Sequence, residues 1–248
     1  MCNLYSMVSN KEAIREFAKF LRVATNADNL KAQPDIFANG YGPVVRNTPE
    51  GRELAICRWG MPSSEDVIGT KKYDSGITNV RRAYLPHWQP WLDIKNRCVV
   101  PVTSFAEPDQ VGGTFKNYWF ALDEDRPLFF FAGIWTPQWT SVRKVKEGPT
   151  TADLYAFLTT KANAEVAQYH DKAMPVILRT PEEVEQWLTL PWKEAKALQQ
   201  PLPDDALKVV ANGLKWDPPT ATPSHMEGKD EGAPAKTPSA PSPQLDLF

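Results

Sequence analysis

Cys2 is the residue best placed for unusual chemistry, because removal of Met1 would leave its thiol next to a free α-amine. Methionine aminopeptidases remove Met1 when the second side chain is small, and cysteine meets that condition. The reference pKa is about 7.7–8.0 for the amine and about 8.5 for the thiol, so each has a reactive fraction near neutral pH. Such a 1,2-aminothiol reacts with aldehydes: the amine condenses to an imine, and the thiolate then closes a five-membered thiazolidine.

The position of Cys2 alone leaves two other interpretations open. In an N-terminal nucleophile hydrolase, the α-amine serves as the base that activates the thiol. Alternatively, cysteine occupies position 2 by chance and lies in a frayed chain terminus. Further residues are needed to decide between these possibilities.

Three polar residues in separate segments are candidates to act with Cys2. Asn79 lies in T-N-V-R-R, Glu107 in V-T-S-F-A-E-P, and His170 in Y-H-D-K. An amide can hold a reactant by hydrogen bonds, and carboxyl and imidazole groups transfer protons. Each also has an ordinary structural interpretation, as an Asx-turn residue, a turn carboxylate and a histidine at a helix end.

These segments together resemble the SOS-response-associated peptidase (SRAP) family. The resemblance rests on the start M-C-N-L-Y-S, on T-N-V-R-R, on R-C-V-V-P-V-T-S-F-A-E-P, and on F-L-T-T-K-A-N followed by Y-H-D-K-A-M-P-V-I-L. The motifs follow the family's order from Cys2 to about Leu178, and the region to about Val210 also fits. The resemblance implies a sensor of abasic sites that crosslinks to single-stranded DNA through a thiazolidine. It also implies self-removal of Met1.

The resemblance assigns a role to each candidate. Cys2 is the nucleophile, and Glu107 is the acid/base that shuttles protons during sugar ring opening and imine formation. His170 lies beside the lesion, where it protonates a departing oxygen or holds a phosphate. Asn79 holds the N-terminal residue and the lesion by hydrogen bonds. Arg81 contacts a phosphate, which suits a guanidinium group.

Further DNA contacts are expected around this reactive set. Thr159 is a weaker family match, at the end of a strand that leads towards His170. Trp59, in R-W-G-M-P, either packs in the core or supports a stacked base, and Arg82 contributes to a phosphate track. Base-specific readout is not expected, because a lesion sensor must accept any flanking sequence.

Composition limits the classes of protein that the chain could represent. Its 248 residues have a formal net charge of −2, and residues 1–215 hold 26 bases against 25 acids, so global charge does not predict DNA binding. Cys57 and Cys98 lie in apolar runs and are interpreted as buried small hydrophobes. Three sparse cysteines form no disulfide framework and no zinc motif, so neither a metal nor a cofactor is expected. No signal peptide and no apolar run of about 18 residues is present, so we expect a cytoplasmic, nucleoid-associated monomer.

The C-terminal segment differs from the rest of the chain. Residues 216–243 contain seven prolines between Pro218 and Pro243 and are predicted to be a disordered linker. The final five residues resemble the peptide that binds the bacterial sliding clamp, with two leucines and a phenylalanine for a hydrophobic pocket and a glutamine for its rim. The alternative is an accidental apolar end. These residues are Gln244, Leu245, Asp246, Leu247 and Phe248.

The elements that must position these residues are mostly strands. A capping-box pattern at Ser9–Glu12 predicts a first helix that ends near Val23, and Thr180-Pro181-Glu182-Glu183 predicts another. Strands succeed one another between these helices, which predicts one α+β domain over residues 1–215, with a mainly antiparallel sheet or open barrel and flanking helices. The predicted strands are 41–46, 53–61, 98–105, 118–122, 128–135, 154–159, 176–178 and 207–210, and the other short helices are 86–92, 164–169 and 192–198.

Three hypotheses of function remain. The first is the abasic-site crosslinker. The second is an N-terminal nucleophile cysteine peptidase or amidohydrolase that acts on other substrates. The third is a non-catalytic adaptor for DNA or the sliding clamp.

Overall fold

The computed structural model describes residues 2–217, which form two sheets with short flanking helices. Met1 and residues 218–248 lie outside the described part, and with them almost all of the predicted linker 216–243 and the whole of the predicted clamp peptide 244–248. The strands are β1 (Leu4–Met7), β2 (Arg22–Val23), β3 (Gln33–Phe37), β4 (Tyr41–Thr48), β5 (Gly51–Trp59), β6 (Asn79–Val80), β7 (Arg97–Val102), β8 (Ser104–Pro108), β9 (Asn117–Ala121), β10 (Phe129–Val142), β11 (Pro149–Thr160), β12 (Met174–Pro175), β13 (Ile177–Leu178) and β14 (Lys208–Asn212). The helices are α1 (Lys11–Ala18), α2 (Glu65–Ile68), α3 (Ala164–Ala167), α4 (Pro181–Thr189) and α5 (Trp192–Ala195), with 3-10 turns at Thr25–Ala27, Pro86–Trp91, Ile94–Asn96 and Lys196–Leu198.

The larger sheet closes into a barrel. Strands β11, β10, β7, β4 and β5 are hydrogen-bonded in that order, and β5 pairs in parallel with β11 to complete the ring. The pairs along the open path are antiparallel. The prediction of an α+β domain with a mainly antiparallel sheet or barrel is therefore confirmed.

A second sheet positions the N-terminus. Its strand order is β14-β9-β8-β1-β3, and all of its pairs are antiparallel. Strand β1 lies between β3 and β8, with Leu4 opposite Ala106 and Tyr5 opposite Phe105. Because all four residues of β1 are buried, the chain segment that follows Cys2 is fixed on both sides.

The two sheets share a core of aromatic side chains. Tyr5 of β1 makes edge contacts with Trp59, Phe131 and Phe157, whose ring centroids lie 5.2–6.3 Å away. Its hydroxyl also hydrogen-bonds that of Tyr155 over 2.5 Å. Aromatic pairs of this geometry add to the free energy of burial, so packing holds β1 to the barrel, while its ladders hold it to β3 and β8.

Some element boundaries differ from those predicted. The side chain that caps α1 is that of Asn10, which accepts a hydrogen bond from the Ala13 N–H, whereas Ser9 was expected. The helix ends at Ala18 because Lys19 adopts a left-handed conformation with φ of 49°. At α4 the predicted capping box is confirmed, with reciprocal bonds between Thr180 and Glu183. No helix among residues 2–217 is long and apolar enough to cross a membrane.

Candidate active site

Cys2 lies two residues before β1, which pairs with β3 and β8 in the second sheet, and its side chain has no exposed surface. Its Sγ contacts the Leu4 carbonyl oxygen at 3.5 Å. Burial raises the pKa of the thiol well above its ordinary value, and the nearby Glu107 carboxyl raises it further. The thiol of this buried cysteine is therefore protonated at neutral pH, and its reaction requires a base.

Asn79 holds the backbone of Cys2. It lies in the two-residue strand β6, which runs parallel to β11 with Asn79 opposite Phe157. Its Nδ2 donates to the Cys2 carbonyl oxygen at 2.9 Å and to Thr78 Oγ1 at 2.8 Å. Its Oδ1 is buried and has no hydrogen-bond partner among residues 2–217. A buried acceptor without a hydrogen bond destabilises the fold, unless a reactant supplies the donor.

Glu107 is the acid/base candidate of the site. Strand β8 carries it, opposite Tyr118 of β9, and its side chain has no exposed surface. Burial raises its pKa to about 7, and the positive charge of the amino terminus offsets part of this effect. A carboxyl group with a pKa near neutral is suited to accept and return a proton at working pH.

His170 lies against Glu107. It follows α3, and its backbone N–H donates to the Val166 carbonyl at 2.8 Å. Its Nε2 is 3.9 Å from Glu107 Oε2, and both side chains are almost completely buried. Proton transfer to or from either group therefore changes the electrostatics of the other.

Arg81 and Thr159 surround the loop that carries His170. Arg81 Nη1 donates to the carbonyl oxygens of Thr160, at 2.5 Å, and of Lys172, at 2.9 Å. Desolvation lowers the pKa of its guanidinium, with a further contribution from Arg82. Thr159 is buried, and its cross-strand partner is Pro175. Arg81 thus braces the end of β11 and the segment after His170, and both Arg81 and Arg82 are exposed.

Trp59 occupies the core. Its side chain has no exposed surface, and its indole N–H donates to the Thr78 carbonyl at 3.0 Å. Its ring packs against those of Phe157 and Tyr5, at centroid distances of 5.0 and 5.2 Å. Of the two interpretations of this residue, the geometry agrees with packing in the core, directly beneath the segment that carries Asn79.

Sequence reasoning missed Thr78 and the tyrosines beside the acid–base pair. Thr78 Oγ1 accepts from Asn79 and donates to Asn3 Oδ1 at 3.4 Å, which links β6 to the N-terminal segment. Its only sequence signal is its place next to Asn79. Tyr169 has a comparable signal, because it precedes His170 in the sequence. The place of Tyr118 opposite Glu107 has no such signal, because it depends on the register of β8 and β9.

The arrangement combines a candidate nucleophile, an amide that bonds its backbone and a buried carboxyl–imidazole pair. Cys2, Asn79, Glu107 and His170 come from four separate segments and are linked by the contacts above. No group of three or more metal-ligating side chains occurs among residues 2–217. A cleft of about 690 Å³ in the described part of the chain shares no lining residue with this set.

Residues 1–212 match the family model described as SOS response associated peptidase (SRAP). A solved structure from Bordetella bronchiseptica is similar with a TM-score of 0.63 and 24% identity, over 84% of this chain and 97% of its own. One from Bacteroides thetaiotaomicron gives a TM-score of 0.63 and 25% identity, over 84% and 90%. A phage-related protein from B. bronchiseptica is similar with a TM-score of 0.56 and 20% identity, over 84% of this chain and 92% of its own. No curated protein matches the chain.

Proposed function

Because the chain belongs to the SOS response associated peptidase family, we propose that it forms a covalent thiazolidine crosslink with abasic sites in single-stranded DNA. Family membership supports an SOS-associated function on DNA with abasic sites. The crosslink through Cys2 is the finer part of the proposal. This crosslink shields the abasic site while the damaged DNA is being replicated.

The chemistry begins once Met1 has been removed. The α-amine of Cys2 attacks the C1′ aldehyde of the ring-opened abasic sugar, and loss of water leaves an imine. The thiol then adds across the C=N bond: a carbon–sulfur bond forms, and the thiol proton ends on nitrogen. The product is a thiazolidine, and no oxidant or reductant is needed.

Protein groups supply the proton transfers of these steps. Glu107, with its pKa raised to about 7, gives a proton to the departing water, and its carboxylate then accepts the thiol proton and passes it to the imine nitrogen. His170 protonates the ring oxygen of the sugar as it opens. Asn79 Nδ2 fixes the backbone of Cys2, and its open Oδ1 accepts from the amine or a sugar hydroxyl.

One observation carries the proposal: the Asn79 side chain holds the Cys2 carbonyl at 2.9 Å. An asparagine 77 residues away in the chain has no general reason to grip residue 2, which in most proteins lies in a frayed terminus. This hydrogen bond fixes the α-amine and thiol of Cys2 near Glu107, whose pKa is about 7. We infer that self-removal of Met1 occurs at the same site.

The test is a denaturing gel of the full-length protein incubated with single-stranded DNA that carries one abasic site. We expect a shifted band that is absent with intact DNA and absent for Cys2→Ala. Cys2→Ser is the matched variant, because it keeps the amine and a similar volume but forms an oxazolidine far less readily. A chain in which removal of Met1 is blocked should also lose the band.

Other outcomes favour the other hypotheses. Hydrolysis of a model amide without any shifted band would support a cysteine amidohydrolase. Noncovalent binding of the same DNA without a shifted band would support an adaptor. Crosslinking by Cys2→Ala at the parent rate would reject the role of the thiol.

We further propose that Gln244–Phe248 binds the sliding clamp and brings the protein to replication forks in the cytoplasm. The support is the sequence of this peptide and its place after a proline-rich stretch, which would raise its effective concentration near a tethered partner. A pull-down of the clamp with the full chain and with a chain that ends at residue 243 tests this. Equal recovery of the clamp would reject it.

A further inference from the structure

Two tyrosines form a stacked pair at the edge of the candidate site. The ring centroids of Tyr118 and Tyr169 are 3.8 Å apart, and the ring planes differ by 22°. Both side chains are half-buried, so part of the pair faces solvent. Among the aromatic contacts of the described residues this is the closest, and the others near the site lie in the core.

The pair adjoins the acid–base residues on both strands. Tyr118 lies directly opposite Glu107 in the antiparallel ladder, which puts the two side chains on the same face of the sheet. Tyr169 immediately precedes His170, whose Nε2 is 3.9 Å from Glu107 Oε2. The stacked rings therefore form a wall of the same site rather than a separate surface.

The backbone keeps this pair in place before any ligand arrives. The Tyr169 carbonyl accepts hydrogen bonds from the N–H groups of Gln110, at 2.8 Å, and Val111, at 3.1 Å. The Tyr169 ring also makes an edge contact with Phe120, at a centroid distance of 6.0 Å. A preorganised aromatic surface loses little conformational freedom when a ligand stacks on it.

Charge near the pair suits a polyanion. Exposed lysines lie two residues before Tyr118 and two residues after His170, at Lys116 and Lys172. The carboxylate of Asp109, in the loop between these strands, is already engaged by the Gly112 N–H at 2.6 Å and the Thr114 hydroxyl at 2.7 Å. These bonds lower the pKa of Asp109 and satisfy its charge within the loop.

We propose that the Tyr118–Tyr169 pair stacks on the base that adjoins the abasic residue in single-stranded DNA. The substrate class rests on the function proposed above. An abasic residue deprives its neighbour of one stacking partner, so the neighbouring base presents a free π-face. The tyrosine pair replaces the missing base, in a manner that accepts any base sequence because every base has such a face.

The test uses an oligonucleotide in which a tetrahydrofuran residue replaces the abasic sugar. This residue has no aldehyde and forms no crosslink, so stacking is measured even if the covalent chemistry fails. A 2-aminopurine on either side of it reports stacking by loss of its fluorescence. We expect the parent protein to quench one of the two probes on binding.

Variants with a leucine keep apolar volume but remove the ring. Tyr118→Leu and Tyr169→Leu should abolish the quenching and weaken binding of the oligonucleotide by about 5- to 100-fold. Tyr118→Phe and Tyr169→Phe keep a ring and should quench like the parent protein. Trp216→Leu is the matched control, because Trp216 is an exposed aromatic residue (46% exposed) away from the tyrosine pair. Its neighbour Asp217 bonds Ser104, which lies at the opposite end of β8 from Glu107.

Two results would overturn the proposal. The first is a parent protein that quenches neither probe, or leucine variants that quench and bind as it does. The second is a loss of crosslinking to true abasic DNA in the leucine variants with unchanged binding of the tetrahydrofuran oligonucleotide. In that case the rings only position Glu107 and His170. A comparison of melting temperatures shows that each variant is folded.

Discussion

Glu107 and His170 lie side by side without exposed surface, and this burial sets the proton chemistry of the site. A buried carboxyl favours its neutral form, and the pKa of Glu107 rises to about 7. Burial also raises the pKa of the nearby Cys2 thiol. The thiol is therefore protonated in the resting site, and the group that accepts its proton is Glu107 in its ionised form, so no preformed thiolate is needed.

The raised pKa of Glu107 predicts a pH dependence of stability. The unfolded carboxyl has a pKa of about 4.3, so between about pH 4.3 and pH 7 the folded chain holds a proton that the unfolded chain has lost. Its contribution to stability is complete below this window and is lost as the pH rises through it. Glu107→Gln cannot ionise, so its melting temperature relative to the parent protein should rise between pH 4.5 and pH 7.5.

Thermal melts of both proteins across this range provide the measurement. Glu65→Gln, at an exposed position, is the control and should show a constant offset from the parent protein. A constant offset for Glu107→Gln would contradict the assigned burial effect. The same variant should crosslink abasic DNA about 100- to 10,000-fold more slowly, as expected for loss of a general acid/base.

Asn79 offers a second prediction at this scale. Asn79→Ala leaves the buried Cys2 carbonyl without its donor, which costs about 1–3 kcal/mol. Because the bond orients the reacting residue, we expect crosslinking to fall by about 5- to 150-fold. Asn79→Asp removes the donor but keeps the shape of the side chain. A rate for Asn79→Asp equal to that of the parent protein would show that shape, and not the hydrogen bond, is what the site uses.

The motifs around Cys2, Asn79, Glu107 and His170 resemble those of one family, and this resemblance selects these residues as candidates. It did not predict the contact of Asn79 with a backbone carbonyl, because that bond depends on β6 lying beside the N-terminal segment. The burial of Glu107 could not be predicted from the sequence either. It depends on a histidine 63 residues later in the chain and on the register of two strands.

Among the secondary-structure elements, β1 links the core to the site. Its Tyr5 hydroxyl bonds that of Tyr155, and both lie against Gly42 of β4. A Cβ at Gly42 would come within 2.5 Å of the Tyr5 hydroxyl and 2.8 Å of the Tyr155 hydroxyl. The absence of a side chain at Gly42 is what lets β1 approach the barrel.

We therefore expect Gly42→Ala to destabilise the protein by about 1–3 kcal/mol through overpacking. Tyr5→Phe removes the nearest oxygen, so the double variant should be less destabilised than the two single effects together predict. Chemical unfolding of all four proteins measures this coupling. Strictly additive effects would show that the strain lies elsewhere.

The capping box of α4 gives a prediction of a different kind. Thr180→Ala removes the side chain that accepts from the Glu183 N–H, which costs about 1 kcal/mol. The rate of crosslinking should not change, because the cap lies on α4, which carries none of the four candidate residues. Thr180→Ser keeps the hydroxyl and should remain within about 0.5 kcal/mol of the parent protein. A slower reaction in Thr180→Ala would indicate coupling between α4 and the site.

Sequence pattern predicted the elements unevenly. The cap at Thr180 was predicted because its box is complete in the sequence, whereas at α1 both Ser9 and Asn10 are good caps and only the structure distinguishes them. Strand β1 was missed because its four residues lie directly after the terminus and lack a clear alternation. The segment 98–105 was predicted as one strand, but it forms β7 and β8, which belong to different sheets.

At the scale of the whole molecule, Asp217, two residues beyond the predicted boundary at residue 215, is anchored to the domain. Asp217 is 1% exposed and receives a bidentate pair of hydrogen bonds from Arg126, at 2.6 and 2.9 Å. It also accepts from the Ser104 hydroxyl at 2.5 Å, and its own N–H donates to the Pro34 carbonyl. The boundary was predicted from composition, and the proline-rich stretch begins only after this anchor.

This anchor predicts how truncation affects the domain. A chain that ends at residue 215 leaves Arg126, whose side chain is 9% exposed, without its carboxylate partner, and breaking a buried pair in this way costs about 3–5 kcal/mol. For a domain of this size the melting temperature should fall by about 6–20 °C. A chain that ends at residue 217 keeps the pair and should melt like the full chain. The variant Asp217→Ala in the full chain should reproduce the shorter truncation, whereas Asp217→Ala with Arg126→Leu should recover part of the loss. If both truncated chains melt alike, the carboxylate of Asp217 does not hold the end of the domain, and the boundary predicted from composition at residue 215 is sufficient.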